Sequence, residues 1–172
     1  MSKTSLVLTV LGKDRPGLVD AIAQTVAVHD GNWIESRMAH LAGQFAGILR
    51  VEVDADQSAS LQAALAALAE GGLESTVLAD AGAAAISASS AVQLSLVGQD
   101  RPGIVREISH VLATHGVNVE ELSTECSSAP HSGEMLFQAD AQLRLPDGLT
   151  ADTLRTALEA VANDLMVDIN LG

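Results

Sequence analysis

Leu6, Leu8 and Val10 alternate with Ser5, Val7 and Thr9 near the start of the chain, and Val92, Leu94 and Leu96 repeat the pattern far downstream. A period of two predicts a half-buried strand at each place. Behind each strand the period changes: Leu18, Ile22 and Val26, and then Ile104, Ile108 and Leu112, recur at helical spacing. An amphipathic helix is expected after each strand. Asp30-Gly31-Asn32 and Gly116-Val117-Asn118 supply stop signals, so the helices are expected to end near His29 and His115. Pro16 and Pro102 are placed in the first helical turn, where a missing N–H is tolerated.

Each half then predicts a hairpin, a second helix and a closing strand. In the first, strands are expected over 33–41 and 45–53 around Ala42-Gly43-Gln44, a helix over 58–70 with Leu61, Leu65 and Leu68 inward, and a strand over 75–79. In the second, the strands fall at 119–126 and 134–145 around a longer loop at 127–133. A helix over 151–163, with Leu154, Leu158 and Val161 inward, and a strand over 166–171 complete it. The order βαββαβ, twice, predicts an α+β fold of two ferredoxin-like units, each with four antiparallel strands under two helices.

The duplication is written in the residues. Leu11-Gly12-Lys13-Asp14-Arg15-Pro16-Gly17-Leu18-Val19 returns as Val97-Gly98-Gln99-Asp100-Arg101-Pro102-Gly103-Ile104-Val105, a shift of 98 − 12 = 86 positions. That is too long for a solenoid repeat, whose period is roughly 20–50 residues. Ile22 and Ile108, His29 and His115, and Asn32 and Asn118 match at the same offset. Domains are therefore expected at 1–80 and 91–172, joined by an Ala- and Ser-rich linker at 81–90. Units of that size fold with modest stability, and their cores are expected to lean on each other as a pseudo-dimer.

Composition narrows the functions. Only 2% of the 172 residues are aromatic, which leaves few platforms on which bases could stack. The net charge is −13, and both halves share the sign: five Lys and Arg against ten Asp and Glu over 1–80, four against twelve over 91–172. Neither nucleic acid nor an anionic membrane is an expected direct partner. The apolar run at 6–11 is broken by Lys13-Asp14-Arg15, so no signal peptide is expected. A single cysteine, Cys126, fits a reducing compartment, and a cytoplasmic location is expected.

With these residues in view, the chain resembles a pair of ACT domains: Gly-x-Asp-Arg-Pro-Gly-[Leu/Ile]-Val follows strand one, and Asn opens strand two, in both copies. Its layout, with Gly31-Asn32-x-Ile34-Glu35-Ser36-Arg37-Met38 in the first copy, is similar to the glycine cleavage system transcriptional repressor family. The resemblance implies a regulator without enzymatic activity or cofactor. Such a protein binds a small amino acid, glycine first among the candidates, where two copies meet, and contacts a DNA-binding transcriptional regulator rather than DNA. It also allows a homo-oligomer. A second implication is an interaction module whose ligand sites have decayed.

The residues themselves supply the chemistry such a ligand needs. Main-chain N–H groups of Gly17 and Leu18, or Gly103 and Ile104, at a helix N-terminus favour a carboxylate. Gly12, Gly17, Gly98 and Gly103 permit close approach of the main chain. Asn32 and Asn118 offer an amide to either end of the ligand. Pro16 and Pro102 shape the loop, and Arg15 and Arg101 are available to the ligand or to structure. Asp14 and Asp100 are expected to cap the helices, since a carboxylate would oppose the ligand's own.

Other chemistry is thin. Cys126, His131 and Glu134 match no closed zinc spacing. Glu120 and Glu121 are adjacent on a strand and are expected to face opposite ways, which excludes a side-by-side acid and base. Trp33 is expected to fill core; if its ring faced the loop at 12–17 it would narrow the first site.

Overall fold

The computed structural model describes residues 2–80 and 90–172. They form two compact units. The expected linker lies outside the described residues apart from Ser90.

The first unit runs β1 (Lys3–Lys13), α1 (Leu18–Val28), β2 (Asn32–Leu41), β3 (Gln44–Asp54), α2 (Ser58–Ala67) and β4 (Leu73–Ala79), with a 3-10 turn at Leu68–Gly71. Its sheet has the order β2-β3-β1-β4, every pair antiparallel. The second unit repeats this as β5 (Ala91–Gln99), α3 (Ile104–Thr114), β6 (Asn118–Ser128), β7 (Met135–Arg144), α4 (Ala151–Leu165) and β8 (Val167–Leu171), in the order β6-β7-β5-β8. The two ferredoxin-like βαββαβ units predicted from the hydrophobic periods are present.

Alternation along the strands decides the cores. Leu6, Leu8 and Val10 of β1 join Leu49, Val51 and Val53 of β3 beneath Leu18, Ile22 and Val26 of α1 and Leu61 and Leu65 of α2. The second core is built the same way from Leu94, Leu96, Leu143, Ile104, Ile108, Leu112, Leu154 and Leu158. Each unit has its own buried cluster, and no polar or charged side chain is buried among the described residues.

Local signals account for the turns. Ala42 and Gly43 both have positive φ, 50° and 77°, as a two-residue hairpin requires. His29 and His115 cap the C-terminal ends of α1 and α3, as expected. Each places Nδ1 2.8 Å from a carbonyl one turn back, Thr25 and Val111 respectively, a ring N–H donating to a helix-end acceptor.

Two details depart from expectation. β2 and β6 each carry a bulge, between Trp33 and Glu35 and between Val119 and Glu121, so Ile34 and Glu120 are extra residues at repeat-equivalent positions. Simple alternation therefore fails at Glu120-Glu121. Glu120 instead accepts from Arg144 Nε at 2.5 Å.

Candidate functional site

The loop between β1 and α1 is held from two sides. Asp14 N–H donates to the Gly43 carbonyl at 2.9 Å, tying the loop to the hairpin, and Asp100 N–H donates to Met135 at 2.8 Å in the second unit. Arg15 Nη2 donates to the Gly71 carbonyl at 2.9 Å, and Arg101 Nη2 to that of Asp164 at 2.6 Å. Both arginines thus fasten the loop to the end of the second helix. Of the two roles open to them, the structural one is occupied.

The helix begins later than expected. Gly17 and Gly103 are the N-cap residues, left-handed at φ 91° and 97°, and neither helix has a side-chain cap. Pro16 and Pro102 consequently precede the N-cap instead of lying in the first turn. Asp14 and Asp100 do not cap. A left-handed glycine turns the chain between carboxylate and helix, and the Asp14 carboxylate instead lies 3.5 Å from His40 Nε2. Asp100 accepts a hydrogen bond from the thiol of Cys126, the repeat counterpart of His40. Partial desolvation, then the charge and hydrogen bond of Asp100, push the thiol's pKa above its ordinary value, although Cys126 is an exposed residue.

Gly12 and Gly98 serve packing. A Cβ on Gly12 would come within 2.5 Å of the Gly72 carbonyl oxygen, and one on Gly98 within 2.4 Å of Val167 Cγ1. Leu18 and Ile104 are buried, so neither side chain reaches the loop surface. Nothing lies within 4 Å of a Cβ built on Gly17 or Gly103, and the helix starts are open.

In the second unit that opening is a broad crevice, walled by Arg101, Pro102, Gly103, Arg106 and Glu107 and, across from them, by Val161, Asp164 and Leu165 of α4. Arg106 was not among the expected site residues. Its signal lay in the repeat, because the equivalent position of the first unit is Asp20. The second helix start thus carries Arg106 paired with Glu107 at 3.2 Å, and the first carries Asp20 alone among charged first-turn residues.

Asn32 and Asn118 are far from the loops of their own units. Asn32 pairs across β3 with Glu52, which pairs with Ser5 of β1, whereas the loop leaves β1 after Lys13. Eight strand positions, about 26 Å, separate them. Asn118 pairs with Arg144, which pairs with Ala91, again eight positions from Gln99. Trp33 shares the far end with Asn32, opposite Val51, and packs against the buried cluster. It fills core and does not narrow the loop.

Among the described residues no group of three or more His, Cys, Asp or Glu is placed to hold a metal, Cys126, His131 and Glu134 included. None of their helices is long and apolar enough to cross a membrane.

Two βαββαβ units in tandem, each opening a glycine-capped helix start beside a tethered loop, define a duplicated α+β module. The chain belongs to the ACT-domain family: ACT domain profiles match residues 4–74 and 92–161. An unknown protein from Galdieria sulphuraria is similar over 99% of this chain and 98% of its own, at 32% identity and TM-score 0.88. A protein proposed to be a glycine cleavage system transcriptional repressor is similar in fold over 100% of this chain and 98% of its own, at 19% identity and TM-score 0.73. The UPF0237 protein of Methanopyrus kandleri is 35% identical over 80 residues, which are 44% of this chain and 79% of that protein.

Proposed function

We propose that this ACT-domain chain is a non-enzymatic, cytoplasmic regulator that binds a small amino acid and changes its contact with a protein partner in response. The observation that carries the reading is the crevice at the start of α3, where a helix N-terminus without a side-chain cap is walled by Arg101 and Arg106. A carboxylate is favoured there by the helix dipole and by Arg106, for which it would compete with Glu107.

The first unit offers the same main-chain geometry with Asp20 in place of Arg106, so the second loop is the competent one. A loop and an Asn of one unit lie at opposite ends of the sheet, so a small ligand at the loop is out of reach of that unit's own Asn. Glycine is the first candidate, by the resemblance to the repressor family. A DNA-binding regulator is the matching partner, because a chain of charge −13 is repelled by phosphate backbones. The ligand shifts that contact only through its different affinity for the free and engaged forms.

Calorimetry against a panel of amino acids tests the reading. Heat with at least one small amino acid, lost in Arg106→Glu, is expected. The absence of both heat and thermal stabilisation for every amino acid at millimolar concentration would overturn it.

A further inference from the structure

Each sheet has one face under its helices and one face left open, and the open faces of the two units differ in kind. In the first unit Val7 and Leu11 of β1 and Ile48 of β3 point to the open face, because their strand neighbours Leu6, Leu8, Val10 and Leu49 lie in the core. Leu78 of β4 joins them, paired with Val7, while Ile48 pairs with Thr9 between Val7 and Leu11. The patch is contiguous. Leu11, Ile48 and Leu78 are 50%, 47% and 64% exposed, more apolar surface than scattered single residues present. The same register puts Gln93, Asp140 and Gly172 of the second unit where the first has Val7, Ile48 and Leu78.

Charge around the patch is balanced. Arg37 on β2 and Arg50 on β3 stand against Glu35 on β2 and Glu74 on β4. Arg50 is already held by Glu35 at 3.1 Å and by Asp80 at 3.9 Å. Arg37 and Glu74, on opposite edge strands, ion-pair with no side chain among the described residues.

We propose that this open face of the first unit is a self-association surface, on which a second copy of the chain lays the same face about a two-fold axis running along the strands. With the order β2-β3-β1-β4, that axis sets β3 over the partner's β1 and β2 over the partner's β4, two sheets packed face to face. Ile48 then covers the partner's Thr9, and Ala46 covers the partner's Leu11. Arg37 shares its row with Ile48, Thr9 and Thr76, so it comes to lie two strand positions, about 7 Å, from the partner's Glu74. Symmetry makes that ion pair twice. Two chains of charge −13 repel one another, and a balanced apolar patch is where they meet with least opposition. The open face of the second unit is a poorer cover, because apolar contact would strip water from Glu121, Glu125, Asp140 and Asp168.

Sedimentation of the full chain over a concentration series is expected to show monomer and dimer in equilibrium. Ile48→Asp, which installs the second unit's residue, is expected to leave monomer alone, with Trp33 fluorescence unchanged as the check that the first unit is folded. Arg37→Glu and Glu74→Arg are each expected to raise the dissociation constant about tenfold or more, and the two together to restore it. This exchange, on exposed side chains, keeps the test valid if Ile48→Asp fails to fold. A chain that stays monomeric up to millimolar concentration, a dimer that survives in folded Ile48→Asp, or charge variants that do not compensate each other overturns the proposal.

Discussion

The guanidinium of Arg101 donates to the main-chain carbonyl of Asp164 at 2.6 Å, fastening the loop after β5 to the last turn of α4. Arg15 does the same with Gly71 at 2.9 Å in the other copy, across another sequence. Repetition of a contact to a carbonyl, which any residue can supply, indicates selection on loop position. Arg101→Met keeps the stem and removes the donor. It is expected to cost about 0.5–1 kcal/mol, as an exposed charge-assisted bond does, and to speed amide exchange at Gly103, Ile104 and Val105. Exchange monitored by NMR with unchanged protection there would show that the loop is held by other means.

Two glycines of the second loop should fail for different reasons. Gly98→Ala places a methyl 2.4 Å from Val167 Cγ1 and 3.0 Å from its main-chain Cα, so β5 and β8 must separate. A loss of about 1–3 kcal/mol is expected, partly recovered in the double variant with Val167→Ala. Gly103→Ala meets nothing within 4 Å but holds φ at 97°, which costs about 1–2 kcal/mol of backbone strain that no second substitution relieves. Urea melts of the two single glycine variants, and of each combined with Val167→Ala, separate the two causes: equal rescue of both by Val167→Ala would contradict the assignment.

How much of this was legible in the chain depends on the range of the interaction. The period of two at Leu6, Leu8 and Val10 and the helical spacing at Leu18, Ile22 and Val26 are local, and both predicted the cores. The 86-residue offset carried the rest of the fold, since one hydrophobic pattern read twice constrains itself. Capping was misread because Asp-x-Pro-Gly places a good cap residue close to a helix, and only the left-handed φ of Gly17 and Gly103 shows that the carboxylate is turned away. The separation of Asn32 from its loop is a matter of register, which neighbouring residues in sequence do not encode. It was nonetheless implied by α1, whose eleven residues carry the chain about 16 Å back along the sheet. A small apolar slot beneath α3, lined in part by Val119 and Ala141, was hidden in plain substitutions, Val119 for Trp33 and Ala141 for Leu49, that become meaningful only once the strands are aligned.

Cys126 tests the electrostatics of the loop. Partial desolvation, followed by the adjacent Asp100 carboxylate and its hydrogen bond to the thiol, favours the protonated form and raises the pKa. The sign follows directly: at any given pH below that pKa less thiolate is present than on a free cysteine, and the thiolate is the nucleophile. Alkylation is therefore expected to be slow at neutral pH, with the midpoint of its pH profile above that of a free cysteine. Asp100→Asn removes the charge and should lower the midpoint. A midpoint that stays in place would mean that Asp100 does not act on the thiol.

The unequal filling of the two cores predicts unequal costs for the same truncation. Ile22 is 0% exposed within the first core, whereas Ile108 is 7% exposed and borders an apolar slot of about 50 Å³ beneath α3. Removing atoms from a full core forfeits contacts on every side and leaves a new void, but a side chain already facing empty space has fewer contacts to lose there. Ile22→Ala is expected near the upper end of the usual range, about 4–5 kcal/mol, and Ile108→Ala near about 2 kcal/mol. Trp33 is the single tryptophan and packs on the first core, so its fluorescence follows the first unit, and amide exchange in β5 and β7 follows the second. Equal losses for the two truncations would mean that the second core is as well filled as the first.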